Sequence, residues 1–353
     1  MKALHIHAGP RALAHIRAHG LSPGDIAVIP GAAGGPKGLI LGPLDRFLFG
    51  HWLPQSQQAI DLVGASIGAW RLATACVDQP LPAFARLEHD YIHQHYEVPP
   101  GQKRPSPKQV SEAFGQSLQS FYGDCMGQVL NHPRYRLHVV TSRGKHILAR
   151  EHPWLTPLGY AGAYLTNAVR RKAMGAFLER VVFSTRGDLP FAVDDYATRQ
   201  LPLNAHNFFP AVQASCTIPF VLQAVHDIPG APAGAYWDGG ITDYHLHLNY
   251  KGLVLYPHFQ QAVVPGWLDK ALRWRHKATP FLDHTIVLAP NPQWVQTLPN
   301  GKLPDRSDFT TYGADLPARV RVWNQAVQAS KQLADEFAQW CQAPDPGRVL
   351  PLG

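Results

Sequence analysis

Gly64-Ala65-Ser66-Ile67-Gly68 stands between two segments of different character. The apolar run Ala59-Ile60-Asp61-Leu62-Val63 leads into it, and Ala69-Trp70-Arg71-Leu72-Ala73-Thr74-Ala75 follows. The pattern reads as a short buried strand, a sharp turn carrying a serine, and then a helix. Small residues two before and two after the serine let such a turn tighten and hold Oγ clear of the backbone. Ser66 would then stand at the positive end of the following helix, where negative charge is favoured. The same letters also suit a glycine-rich helix entry with no chemistry, so the neighbouring motifs decide.

Two other segments bear on that choice. Upstream, Asp25-Ile26-Ala27-Val28-Ile29-Pro30 reads as a strand running into Gly31-Ala32-Ala33-Gly34-Gly35-Pro36-Lys37-Gly38, with a helix expected from Gly38-Leu39-Ile40-Leu41. A glycine-rich loop between strand and helix turns several backbone N–H groups into one space and can hold an anion. Downstream, Ala235-Tyr236-Trp237-Asp238-Gly239-Gly240 sets a carboxylate at the end of an apolar stretch, beside two glycines that permit close backbone approach. Anion loop, serine elbow and Asp-Gly-Gly in that order are far more specific than any one of them.

This order resembles the patatin-like phospholipase family, lipid acyl hydrolases that use a Ser-Asp dyad in place of a Ser-His-Asp triad. The resemblance implies Ser66 as nucleophile and Asp238 as general base. It implies Gly34, Gly35 and Gly38 as oxyanion-hole glycines, with Lys37 a candidate contact to substrate or loop. Ala214-Ser215-Cys216-Thr217-Ile218-Pro219-Phe220 is similar to the stretch that precedes the base in the family. The likeness spans about residues 25–78 and 205–245. It implies an α/β, three-layer fold with a central, mostly parallel sheet flanked by helices. The expected organisation is a single hydrolase domain over 1–353, with 90–135 a candidate lid or cap and 315–345 a C-terminal helical extension. Two departures stand out. Ala32 and Ala33 replace residues of the usual glycine run, and Thr242-Asp243 stands where the family often has asparagine.

Composition agrees with an α/β protein. The chain has 353 residues, of which 45% are apolar and 16% charged, enough for one large domain or two small ones. Lys and Arg exceed Asp and Glu by 32 − 25 = 7. With no basic run interleaved with aromatics, nucleic acid is not an expected partner; weak peripheral contact with an anionic membrane surface is a candidate. No window approaches the roughly 18 apolar residues of a membrane span, and Met1 to His7 lacks the apolar core of a signal peptide. Cys76, Cys125, Cys216 and Cys341 are widely spaced and read as buried free thiols of a cytoplasmic protein. The expected substrate is a lipid or other ester, no cofactor is called for, and the oligomeric state is open.

Further strands are expected at 2–7, 180–183, 252–256 and 285–289, and two more over Arg136–Leu148 joined at Ser142-Arg143-Gly144. Helices are expected at Arg11–His19, over Tyr160–Phe177 and, from the spacing of Val320, Trp323, Val327, Leu333, Phe337 and Cys341, near the C-terminus. That last helix reads as core-packing, with an interfacial membrane helix the less favoured alternative. Val98 to Pro107, rich in proline, reads as an exposed loop.

Rival chemistries are weaker. His89 and His93 could grip zinc from one helix, with His95 near, but no third ligand is marked by spacing. His5-x-His7 resembles the strand motif of metal-dependent amidohydrolases without their later ligands. The Gly31–Gly38 loop lacks the Gly-Lys-Ser/Thr end of a nucleotide-binding loop. An α/β-hydrolase carboxylesterase with Ser66, Asp238 and His245 or His247 would share the elbow, although those histidines follow Asp238 too soon. A non-catalytic lipid-binding protein on the same frame is the third option.

Overall fold

The apolar runs that lead into the glycine turns become neighbouring strands. In a computed structural model describing residues 1–98, 101–102 and 105–353, the strands in chain order are β1 (Leu4–Ala8), β2 (Ile26–Gly31), β3 (Ile60–Ala65), β4 (Tyr135–Gly144), β5 (Leu178–Ser184) and β6 (Thr198–Pro202). They continue with β7 (Val225–His226), β8 (Ala235–Asp238), β9 (Leu253–Pro257), β10 (Thr285–Pro290) and β11 (Val349–Pro351). One sheet of 11 strands forms among the described residues, in the order β11-β1-β10-β9-β2-β3-β4-β5-β6, with β8 paired to β4 and β7 to β8. The run β10-β9-β2-β3-β4 is parallel, while β1 opposes β10, and β5 and β8 oppose β4. Every residue of β3 is buried, so both of its faces are covered, as parallel sheets require.

Helices supply that cover. In order they are α1 (Pro10–His19), α2 (Gly42–Phe47), α3 (Ile67–Thr74), α4 (Pro80–His93), α5 (Pro107–Tyr122) and α6 (Met126–Leu130). The second half adds α7 (Leu155–Val169), α8 (Phe208–Ser215), α9 (Gly240–Asp243), α10 (Pro292–Val295), α11 (Ser307–Tyr312) and α12 (Leu316–Gln342). The result is a mostly parallel α/β sheet flanked by helices, the expected fold class. α12 buries Trp323, Val327, Leu333, Phe337 and Trp340, so its apolar stripe packs inward and the interfacial alternative fails. The Glu336 carboxylate on this helix accepts the N–H groups of Ala3 and Leu4, both at 2.9 Å, and ties it to the start of β1. Val110, Phe114, Leu118 and Phe121 of α5 belong to the main core.

Several local expectations need correction. The helix expected from Gly38 is a 3₁₀ turn over Gly35–Leu41 that runs into α2, and Pro36 sits in its first turn, where a missing N–H costs nothing. β4 is one strand: Ser142, Arg143 and Gly144 pair with Arg180, Glu179 and Leu178 of β5, and two of them also pair with β8. Gly144 is needed for contact, since a Cβ there would lie 1.9 Å from the Leu148 carbonyl oxygen. The helix over Tyr160–Phe177 is α7 followed by a separate turn, Arg171–Ala176, with extended Arg170 between them. Of the four free cysteines only Cys76 is buried; Cys125, Cys216 and Cys341 are half-buried. In the expected loop, Pro99, Pro100, Lys103 and Arg104 lie outside the described residues.

Candidate active site

β2, β3 and β4 run parallel, and their register brings the motifs to one end of the sheet. Gly31 pairs with Gly64 at the ends of β2 and β3, and Asp238 of β8 pairs with Thr141 near the end of β4. Later strands add on the far side of β2, through β9, so its C-terminal end is where strand order reverses. That crevice is the usual ligand position in open α/β sheets.

Ser66 has φ +57° and ψ −132°, a conformation non-glycine residues rarely adopt. Such strain costs on the order of 1–3 kcal/mol and persists only where neighbours over-determine it. The flanking glycines do this through contact. A Cβ on Gly64 would lie 2.4 Å from Ala69 Cα, and one on Gly68 would lie 1.8 Å from the Gly31 carbonyl oxygen. β2, the turn and α3 therefore interlock at a spacing only glycine allows. The Ser66 N–H donates to Ser215 Oγ (3.0 Å), whose hydroxyl donates to the Val140 carbonyl (2.7 Å).

The Ser66 hydroxyl donates to Asp238 Oδ2 at 2.7 Å, both residues being buried. The other carboxylate oxygen accepts the Gly240 N–H at 2.7 Å. Backbone bonds fix the strand end, Asp238 N–H to Thr217 O (2.8 Å) and Gly239 N–H to Ser215 O (3.2 Å). The stretch Ala214–Phe220 is thus the scaffold behind both Ser66 and Asp238. Burial raises the Asp238 pKa above the ordinary carboxylate range, against the Ser66 hydrogen bond, the Arg306 charge and the Gly240 N–H. The neighbouring Trp237 ring turns away from the carboxylate. Alternate strand residues face opposite ways, and its ring packs on Tyr160 in a separate cluster.

Thr242 and Asp243 are held beside Asp238 by a buried polar network. Ser142 Oγ donates to the Asp238 carbonyl (2.9 Å) and lies 3.0 Å from Thr242 Oγ1. Asp243 is buried and takes two bonds from Arg180, Nε to Oδ2 at 2.7 Å and Nη2 to Oδ1 at 2.6 Å, and one from the Tyr196 hydroxyl at 3.1 Å.

The anion loop wraps the start of α3. Its Ala33 N–H donates to the Tyr244 carbonyl (2.9 Å), and Ala33 Cβ closes on Gly240. Gly34 lies against the Phe259 ring, while Gly35, at φ +57°, faces Tyr91 and Arg306. Among the described residues the N–H groups of Gly34 and Gly35 donate to no protein acceptor, and the Ile67 N–H opens α3 with none inside the helix. Gly38 has a different place: its Cα faces the side chains of Ile67 and Arg71. A shallow, open cleft runs beside Ile67 between Leu39, Phe84, Leu87 and Tyr91, with Asp45, Arg71 and Glu88 also in its lining.

Cations edge the site. Lys37 Nζ stands 5.5 Å from the Phe259 ring centre, and Lys270 Nζ 5.1 Å from that of Tyr244. Burial, the largest cause, lowers both lysine pKa values, and the Arg306 charge adds to it. Neither lysine nor the Arg306 guanidinium has a hydrogen-bond or ion-pair partner among the described residues. The cation acting on Asp238 is Arg306, which the sequence did not mark.

The histidines do not join the dyad. His247 Nδ1 lies 2.7 Å from the Val263 carbonyl and Nε2 2.8 Å from Thr279 Oγ1, while His245 Nδ1 lies 3.1 Å from the Ala262 carbonyl. Burial lowers the pKa of both, to about 4 for His247. The exposed rings of His89 and His93 stack at 4.1 Å.

No family model and no curated protein matches the chain. Among solved structures it is similar to the crystal structure of VipD from Legionella pneumophila, at 13% identity and a TM-score of 0.39, covering 95% of this chain and 70% of that one.

Proposed function

We propose that the chain is a serine acyl hydrolase that cleaves carboxylic esters through a Ser66–Asp238 dyad. The observation that carries this reading is the 2.7 Å bond from a strained, glycine-flanked serine to a buried carboxylate of raised pKa. Ionised Asp238 takes the Ser66 proton as Oγ bonds to the ester carbonyl carbon. The oxyanion forms against the free N–H groups of Gly34, Gly35 and Ile67; one such donor is typically worth about 10²–10³ in turnover. Collapse breaks the bond to the leaving alkoxide, which takes the proton from Asp238 and departs as alcohol. Water then adds to the acyl-enzyme, losing a proton to Asp238, and the acid leaves as Ser66 recovers its hydrogen.

Substrate class follows from the surroundings. Leu39, Ile67, Phe84 and Leu87, which line the cleft beside Ser66, favour an apolar acyl group. Unpartnered Lys37, Lys270 and Arg306 favour an ester with a nearby negative group, such as a phospholipid. The whole chain is proposed to act as one hydrolase domain.

Labelling with a fluorophosphonate, mapped by mass spectrometry, tests the reading. Label is expected on Ser66 and absent in Ser66→Ala, with p-nitrophenyl butyrate hydrolysis abolished in Ser66→Ala and Asp238→Asn at unchanged circular dichroism. His245→Ala and His247→Ala are expected to keep most activity, unlike a triad enzyme. Label elsewhere, or full activity in either dyad variant, sinks the assignment.

A further inference from the structure

α7 has an inverted surface. Its inner side buries Thr156, Gly159, Tyr160, Ala163 and Asn167, and its outer side should therefore be polar. Instead no charged residue occurs from Leu155 to Val169, and Leu158, Leu165 and Val169 stand 61%, 65% and 88% exposed, with Trp154 at 82% just ahead of them. Two neighbouring segments extend the face. The exposed Phe220 ring lies 6.0 Å from Tyr160. Arg275 donates to the Ala168 carbonyl (3.2 Å), holding the segment with exposed Trp267 and Trp274 against the C-terminal half of α7.

We propose that this face docks on the surface of an anionic phospholipid bilayer. The charge pattern selects that occupant. Between Lys145 and Leu178 there are five Lys or Arg, of which Arg150, Arg170 and Lys172 are exposed while Arg171 pairs with Asp243 and Asp269, and one acid, Glu151, whose carboxylate already accepts the Ala224 N–H at 3.0 Å. Exposed Arg273 and Lys277 add to them from the segment that carries Trp274, while Arg275 pairs with Asp269. Exposed apolar residues framed by tryptophans and fringed by cations match an interfacial element, whose aromatic rims sit at headgroup level while basic groups meet anionic lipid. Among the described residues no helix is long and apolar enough to cross a membrane, so α7 lies along the surface. A second copy of this chain would set these cation fringes against each other.

The face adjoins the site. Phe220 lies three residues after Thr217, whose carbonyl accepts the Asp238 N–H. A docked face would deliver a lipid ester to the dyad, a purpose that rests on the hydrolase reading; the docking itself does not.

The test is co-sedimentation of the full chain with vesicles of phosphatidylcholine alone or mixed with phosphatidylglycerol, at low and physiological salt. Wild type is expected to pellet with the anionic vesicles, less as salt rises. Leu158→Asn/Leu165→Asn should weaken that binding roughly tenfold or more. Arg170→Gln/Lys172→Gln should lower it and flatten its salt dependence. Both variants should keep wild-type circular dichroism and hydrolysis of soluble p-nitrophenyl butyrate. Absence of wild-type binding, binding unchanged in Leu158→Asn/Leu165→Asn, or a wild-type dimer that this variant dissociates in sedimentation velocity would each overturn the proposal. Vesicle binding of the expected pattern without any ester hydrolysis would uphold docking and remove the hydrolase reading.

Discussion

The contact between Gly68 and Gly31 gives the sharpest test of how the backbone builds the site. In Gly68→Ala the new methyl carbon would stand 1.8 Å from the Gly31 carbonyl oxygen and 2.9 Å from that of Ala32. Real Cβ contacts essentially never fall under 3.0 Å, so β2 and the turn must part by at least 3.0 − 1.8 = 1.2 Å. The obstacle is backbone and cannot rotate away. The displaced atoms begin the anion loop, so its free N–H groups move relative to Ser66 Oγ by a similar distance. Misplacement of about 1 Å in a reacting constellation costs about 10²-fold, and overpacking adds about 1–3 kcal/mol of destabilisation. In p-nitrophenyl butyrate hydrolysis, well below the melting temperature, kcat should fall by about two orders of magnitude with a smaller change in KM, because the hole acts on the transition state. Fluorophosphonate labelling should slow in step. Gly127→Ala, where an added Cβ meets nothing within 4 Å, is the control and should leave kcat unchanged. A folded Gly68→Ala enzyme with wild-type kcat would refute the claim that this contact sets the hole.

Two further outcomes follow from the charges. Arg306 lowers the Asp238 pKa against burial, so Arg306→Gln should move the acid limb of the kcat/KM profile to higher pH; an unmoved limb would show that the guanidinium does not act on the base. Burial holds His247 at about 4 and His258 at about 3, below the ordinary 6.5. Across that window the unfolded chain binds more protons than the native one, so these residues' contribution to stability is full above about pH 6.5 and lost as pH falls toward 4. The melting temperature should decline over that range, and less steeply in His247→Gln; identical slopes would assign the acid lability to other groups.

What was legible in the sequence was what short-range chemistry encodes. A buried strand entering a glycine turn is written in adjacent residues, so the ends of β2, β3 and β8 and the positions of Ser66 and Asp238 could be read directly. Arg306 could not, because it reaches Gly35 and the field of Asp238 only through packing of a loop remote in sequence. Period-two alternation in Ala235–Asp238 likewise puts the Trp237 side chain on the face opposite the carboxylate. β4 reads from sequence as two strands because Ser142-Arg143-Gly144 has turn chemistry locally, and two partner strands override it. Arg180 and Asp243 form a buried ion pair that apolar periodicity cannot see. The outer side of α7 was hidden for the converse reason, because an uncharged helix reads as buried all round.

The dyad itself should be a drain on stability, and Asp238→Asn measures how large. A carboxylate whose pKa is raised by burial is less comfortable ionised in the native state than in the unfolded chain. Between the unfolded pKa of 3.8 and the raised native value, the native state holds the extra proton, so stability falls as pH rises through that window and stays lower above it. Asparagine cannot ionise, yet its side-chain oxygen can still accept from the Ser66 hydroxyl or the Gly240 N–H, the two bonds that now end on Asp238. Asp238→Asn should therefore melt higher than wild type at pH 8, and the gap should shrink on acidification as wild-type Asp238 takes up its proton. The Ser66 strain remains in the variant, so the gain isolates the charge. A variant that melts lower than wild type at pH 8 would mean that the carboxylate's hydrogen bonds outweigh its desolvation, and burial would no longer explain how an aspartate could serve directly as the proposed base.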